Sequence, residues 1–155
     1  MLYQYLKFLH LASVILLAGN VFITGFWKYY ADKTNNGVVI GFGQHLVNKT
    51  DWFFSVIFGI GAAVSGYGMA ILAGYDLFGS TWLIWGQINF WFSFVVWVFI
   101  LIPIQIKMTR MSEKFEHGGE VGENYRRWTI YWYIAGNAST IPLYLNIYFM
   151  VAKPV

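Results

Sequence analysis

The sequence predicts an all-α membrane protein folded as a four-helix up-down-up-down transmembrane bundle, and two observations carry that prediction. Four apolar stretches, 8–27, 52–75, 77–106 and 128–152, contain no Asp, Glu, Lys or Arg. The 155 residues are 58% hydrophobic and only 11% charged, whereas a soluble domain carries charge at about twice that rate. Mean hydropathy is +0.53. Each stretch reaches the roughly 20 residues a helix needs to cross a bilayer core about 30 Å thick. In lipid, every backbone polar group must be satisfied within the segment, and a helix does this.

The first helix is expected at about 3–30. A cleavable signal is the competing reading, since Lys7 precedes the apolar core 11–18. No small-x-small cleavage site follows, and the apolar run continues through 21–27, so the segment is expected to remain. The second helix is expected at about 51–74, with Gly61, Ser65, Ala62 and Gly66 spaced small-xxx-small for close packing. Asp76 with Gly74 and Gly79 marks a tight turn, so helices two and three should form an antiparallel hairpin. The third helix is expected at about 80–108 and the fourth at about 126–152, with kinks at Pro103 and Pro142. Together, residues 1–155 make one transmembrane domain, with no length left for a soluble one.

The connections differ in charge. The first carries Lys28, Lys33 and Lys49, the second carries no basic residue, and the third carries Lys107, Arg110, Lys114, Arg126 and Arg127. The third also holds Glu113, Glu116, Glu120 and Glu123 around Gly118-Gly119 and reads as two solvated helix extensions with a glycine hinge. Eight of the ten basic residues thus lie on one side. The positive-inside rule assigns that side to the cytoplasm and leaves both termini outside a bacterial inner membrane. Aromatic rings, 21% of the chain, crowd the run ends, as at Tyr3, Trp27, Trp52, Tyr75 and Trp128, where headgroups favour them. The net charge of +3 suits anionic lipid and calls for no nucleic acid.

The chain has no cysteine, which excludes thiolate metal sites, iron–sulfur clusters and covalently attached haem. It shows no phosphate-cradling glycine loop and no His-Glu-x-x-His. The expected spans hold no acid, which argues against proton-coupled transport.

Polar groups at membrane depth need partners. On the first helix, Ser13, Asn20 and Thr24 fall within about 80° of His10, forming one stripe that should face the bundle interior. Two readings stand side by side: interhelical hydrogen bonding, or ligation of a metal or haem iron by the neutral imidazole. Asn89 and Ser93 on helix three and Asn137 and Thr140 on helix four are the expected partners of the stripe. His45 reads as an interfacial histidine and only weakly as a metal ligand. His117, beside two glycines and among glutamates, reads as exposed.

The opening Tyr5-Leu6-Lys7-Phe8-Leu9-His10, the basic Tyr-Arg-Arg-Trp segment at 125–128 and the closing Met150-Val151-Ala152-Lys153-Pro154 resemble a family of predicted integral membrane proteins, domain of unknown function 2269. More distantly, the two ends resemble the all-membrane haem-b protoporphyrinogen oxidases and the D-type copper-resistance membrane proteins. His10 falls on the histidine that ligates haem in the oxidase group. The resemblance therefore implies haem b on His10, with Ser13, Asn20 and Asn137 lining the pocket and Trp85, Trp91 and Trp97 walling it. The oxidases also need a lysine early in helix three, and Gly86 stands about there, which removes the support for protoporphyrinogen oxidation. The function expected is electron transfer, alone or as a membrane subunit of a redox complex, with a homo-oligomer or redox partner subunit in the bilayer. The alternatives are a cofactor-free structural or assembly subunit, and copper handling. Met69, Met108, Met111 and Met150 form no ladder that would favour copper.

Overall fold

The computed structural model describes residues 1–115 and 117–154, so Glu116 and Val155 lie outside it. Four long helices account for most of them: α1 (Leu2–Lys33), α2 (Gly37–Leu72), α3 (Thr81–Ser112) and α4 (Glu123–Ala152). α1, α2 and α3 are each long and apolar enough to cross a membrane. α4 is 30 residues long, but its tyrosines, asparagines, serines and threonines hold its hydropathy below that of the other three.

α2 begins at Gly37, well before the expected start near residue 51, and α1 runs on to Lys33. The first connection is therefore a three-residue turn. Asn35 adopts a left-handed backbone at φ +52°, and Asn36 caps α2 by accepting from the backbone nitrogens of Val38 and Val39 at 3.0 and 3.4 Å. The stretch looked like a loop because it carries lysines and glycines. Its apolar and amide side chains in fact recur at helical spacing: Ile40, Gln44, Val47 and Asp51 are all buried. At 36 residues, α2 is about 54 Å long, so it outreaches a 30 Å core.

Two stretches are wound as π-helix, Asp51–Ser55 in α2 and Trp97–Leu101 in α3. The rings of Trp52 and Trp97 meet edge to face at 6.1 Å, so the two stretches lie at one level of the bundle. The α3 stretch sits just ahead of Pro103, which cannot donate the ordinary i→i−4 bond. Pro142 lies inside α4.

α1 packs along α2, and α3 along α4. The small-residue face of α2 takes the α1 stripe. A β-carbon at Gly61 would sit 2.5 Å from Ser13 Oγ, and one at Gly66 would sit 3.0 Å from the His10 ring. Gly74, at φ +69°, and Asp76 shape the turn to α3; the Asp76 carboxylate accepts from the Phe78 backbone at 2.9 Å.

Beyond that turn the expected hairpin does not close. No Cα of Val56–Leu72 lies within 8 Å of one in Thr81–Val96. The two helices meet only at the opposite end, where Gly37–Thr50 contacts Ile102–Ser112. There the apolar core collects Ile40, Val47, Ile104, Met108, Phe115 and Tyr125. The third connection is correspondingly less solvated than expected, because Phe115 is buried edge to face against Tyr125 at 5.0 Å. The four helices therefore spread toward the end that bears the termini and close toward the basic end.

Candidate functional site

Where α2 and α3 diverge, a cavity of about 430 Å³ opens between the helices, within the usual range for small-molecule sites. His10 of α1 lines it, with Tyr67, Trp82, Leu83, Phe90, Asn146 and Met150 among the walls. The imidazole Nδ1 lies 2.9 Å from the Ala62 carbonyl and 3.3 Å from Ser65 Oγ. A carbonyl only accepts, so Nδ1 carries the proton. The Ser65 hydroxyl proton is already given to the Gly61 carbonyl, which agrees with Nδ1 as donor. In the neutral ring Nε2 then keeps the lone pair. Metal-ligating histidines are held in this way, one nitrogen donating to a backbone carbonyl and the other left to coordinate.

The rest of the cavity suits a porphyrin. Its walls are apolar and aromatic, and Lys7 and Lys153 line it as well, two cations able to meet propionates. The Lys153 ammonium lies 5.1 Å from the Trp82 ring centre and donates to the Tyr75 hydroxyl at 3.2 Å. Among the described residues no three of His, Cys, Asp and Glu gather around a point. A bare metal ion would thus find one imidazole, whereas haem iron brings four ring nitrogens of its own. The departure at Gly86 has a packing reason. A β-carbon there would stand 2.6 Å from the Met150 methyl, and the Gly86 carbonyl accepts from Asn146 at 3.0 Å.

The other residues expected around His10 lie elsewhere. Ser13 and Asn20 are buried at the α1–α2 interface and do not line this cavity. Asn137 is exposed, bonded to the Tyr133 carbonyl at 2.8 Å, and lines a different cavity. Trp97 also lines that second cavity, while Trp85 and Trp91 are about half exposed. Neither Asn89, Ser93, Asn137 nor Thr140 meets the α1 stripe; the last three bond within their own helices. His45 is exposed on α2, and His117 is exposed on the third connection.

The partner of the stripe is Asp51, which lies inside α2 and so corrects the expectation of acid-free spans. Asn20 Nδ2 donates to Asp51 Oδ1 at 3.0 Å, and Gln105 Nε2 donates to Oδ2 at 2.6 Å. The argument against proton coupling falls with that expectation. Asp51 escaped notice because it stands one residue before an apolar run. Its spacing from Ile40, Gln44 and Val47 is the signal that finds it. One turn beyond Thr24, Lys28 extends the stripe and is 1% exposed. It pairs with Asp32 at 3.1 Å and donates to the Tyr125 hydroxyl at 3.1 Å. The Tyr125 hydroxyl in turn donates to Gln44 at 3.2 Å.

A family model described as predicted integral membrane protein (DUF2269) matches residues 4–154. No curated protein and no solved structure matches the chain.

Proposed function

The chain belongs to the DUF2269 family of predicted integral membrane proteins, and from that premise we propose that it binds haem b through His10 and passes electrons within the membrane. The observation that carries the reading is the Nδ1 contact to the Ala62 carbonyl, which fixes the tautomer with Nε2 free to ligate iron. His10 would supply one axial nitrogen, and Lys7 and Lys153 would pair with the propionates. Haem would supply a one-electron carrier, and the aromatic and aliphatic walls would keep it from water. Attachment is non-covalent, since the chain has no cysteine.

In this reading α4 spans the bilayer with the other three helices, its charge-free 128–152 stretch supplying the length. The basic end faces the bacterial cytoplasm and both termini face outward, as the eight-to-two division of lysine and arginine favours. The many exposed Phe, Ile, Leu and Val side chains on the helix surfaces meet lipid, and a redox partner subunit would dock among them.

Reduced-minus-oxidised difference spectra of the purified protein test the proposal. Wild type and His117→Ala should show the haem bands, and His10→Ala should lose most of them. A colourless wild type, purified gently from haem-supplied cells, overturns the proposal and favours a cofactor-free structural subunit.

A further inference from the structure

A second cavity, of about 420 Å³, lies between α1 and α4 toward the basic end. Both π-helical stretches reach it: Asp51 and Ser55 from α2, Trp97 and Leu101 from α3. π-Helical turns recur at functional sites because the extra residue re-aims side chains and frees backbone groups. Phe22 and Phe26 form much of the α1 wall and are half-exposed or more, so the cavity opens sideways, where lipid would lie.

Its polar groups are unevenly matched. Three of the side chains lining it, Trp97, Trp132 and Tyr133, carry buried donors with no partner: two indole N–H groups and one phenol. A buried unpaired donor is rare and calls for a missing acceptor. Asp51, only 8% exposed, is the one carboxylate in the lining. Among the described residues the only ion pair joins Lys28 to Asp32, so no cation neutralises Asp51. The cavity thus combines several donors, one carboxylate acceptor and aromatic walls.

We propose that this cavity binds a bilayer-soluble ring of the quinone class. Its carbonyl oxygen accepts from the orphaned indole and phenol donors, and in the reduced form its hydroxyl donates to Asp51. A bare cation or an ammonium would offer these donors no acceptor. A lone ion would also leave most of the volume empty, since a water occupies about 30 Å³. An acyl chain would leave all four polar groups unmatched. The site stands apart from the His10 cavity, and its ligand does not depend on haem.

Quenching of tryptophan fluorescence by menadione, titrated into the purified protein, reads the binding directly, because Trp97 and Trp132 line the cavity. A β-carbon at Gly136, which also lines it, would meet nothing within 4 Å. Gly136→Leu therefore fills the space without a clash at the backbone. Wild type should quench saturably, and Gly136→Leu should weaken binding at least about tenfold. Tyr133→Phe, which keeps the ring and removes one donor, should weaken it about fivefold, the size of one hydrogen bond. Gly19→Leu, at an open position outside both cavities, and His10→Ala should bind as wild type does. The His10 variant separates this proposal from the haem reading. Unsaturable quenching, equal affinity in Gly136→Leu and Tyr133→Phe, or displacement of menadione by equimolar oleate would overturn it.

Discussion

Asn20 and Asp51 meet across the α1–α2 interface, amide nitrogen to carboxylate oxygen at 3.0 Å, where both side chains are buried. With Gln105 on the other oxygen at 2.6 Å, this small network joins three helices by side chains that lipid could not satisfy. A buried carboxylate deprived of a donor bears the full desolvation penalty of the lost bond.

Asn20→Leu should therefore lower stability by about 1–3 kcal/mol, read as a fall in the melting temperature of the detergent-solubilised protein. Gly19→Leu, one residue away and outward-facing, is the control. Asn48 does not serve as one, because it is half-buried and donates to Thr109 at 3.3 Å. Equal melting temperatures for the Asn20 and Gly19 variants would remove the network from the stabilising interactions.

At the basic end, α2 starts hard against the third connection. A β-carbon on Gly37 would stand 2.5 Å from the Phe115 carbonyl oxygen and 2.8 Å from that of Gly119. Both obstacles are backbone, so neither can rotate away. Gly37→Ala should cost about 1–3 kcal/mol, as overpacking does, while Gly59→Ala, with nothing within 4 Å, should leave the melting temperature nearly unchanged. A silent Gly37→Ala would mean that the connection gives way freely.

Lys28 is enclosed by Asp32, Tyr125 and the Trp132 ring, the last at 5.6 Å from its ammonium. Lys28→Met strands a carboxylate and should cost about 2–4 kcal/mol; Asp32 keeps 20% exposure, which holds the loss below that of a fully buried pair. The double variant Lys28→Met/Asp32→Asn should recover part of that loss, because no charge is then left unpaired. Thermal melts of both variants check this, and a double variant less stable than the single one would contradict it.

The absence of cysteine makes orientation accessible to single-cysteine labelling. On intact spheroplasts, a membrane-impermeant maleimide should label Phe78→Cys, at the exposed α2–α3 turn. It should label His117→Cys only after permeabilisation. The reverse pattern would invert the topology.

The helices and their inward faces were largely legible, because hydropathy and 3.6-residue periodicity are both local signals. Ser13, Asn20 and Thr24 are indeed the buried polar residues of α1, and Gly61 and Gly66 do receive that helix. What stayed hidden depends on which helix faces which. Asp51 and Gln105 are 54 positions apart, so neither declares its partner in a single sequence. Charge patterning misled at Lys28 and through the start of α2, where a lysine that looks solvated proves to be 1% exposed. The separation of α2 from α3 beyond their tight turn was also illegible, since a short connection normally implies close packing. It arises because each helix packs on another neighbour instead, α2 on α1 and α3 on α4.

The π-helical turn at Asp51–Ser55 also sets how the gene can change. Each such turn holds one residue more than an α-helix of the same length would need. Deleting one residue there would let the α-helix run straight through and rotate everything after it by about 100°. Gly61, Ser65 and Gly66 would swing away from His10 and Ser13, while Gln44 and Val47 upstream would keep their places. A single-codon deletion at Phe53 would thus act at a distance on the His10 cavity, whereas substitutions at Phe53, whose side chain is 57% exposed, would not. Length, more than identity, is the conserved quantity that this segment demands of its descendants.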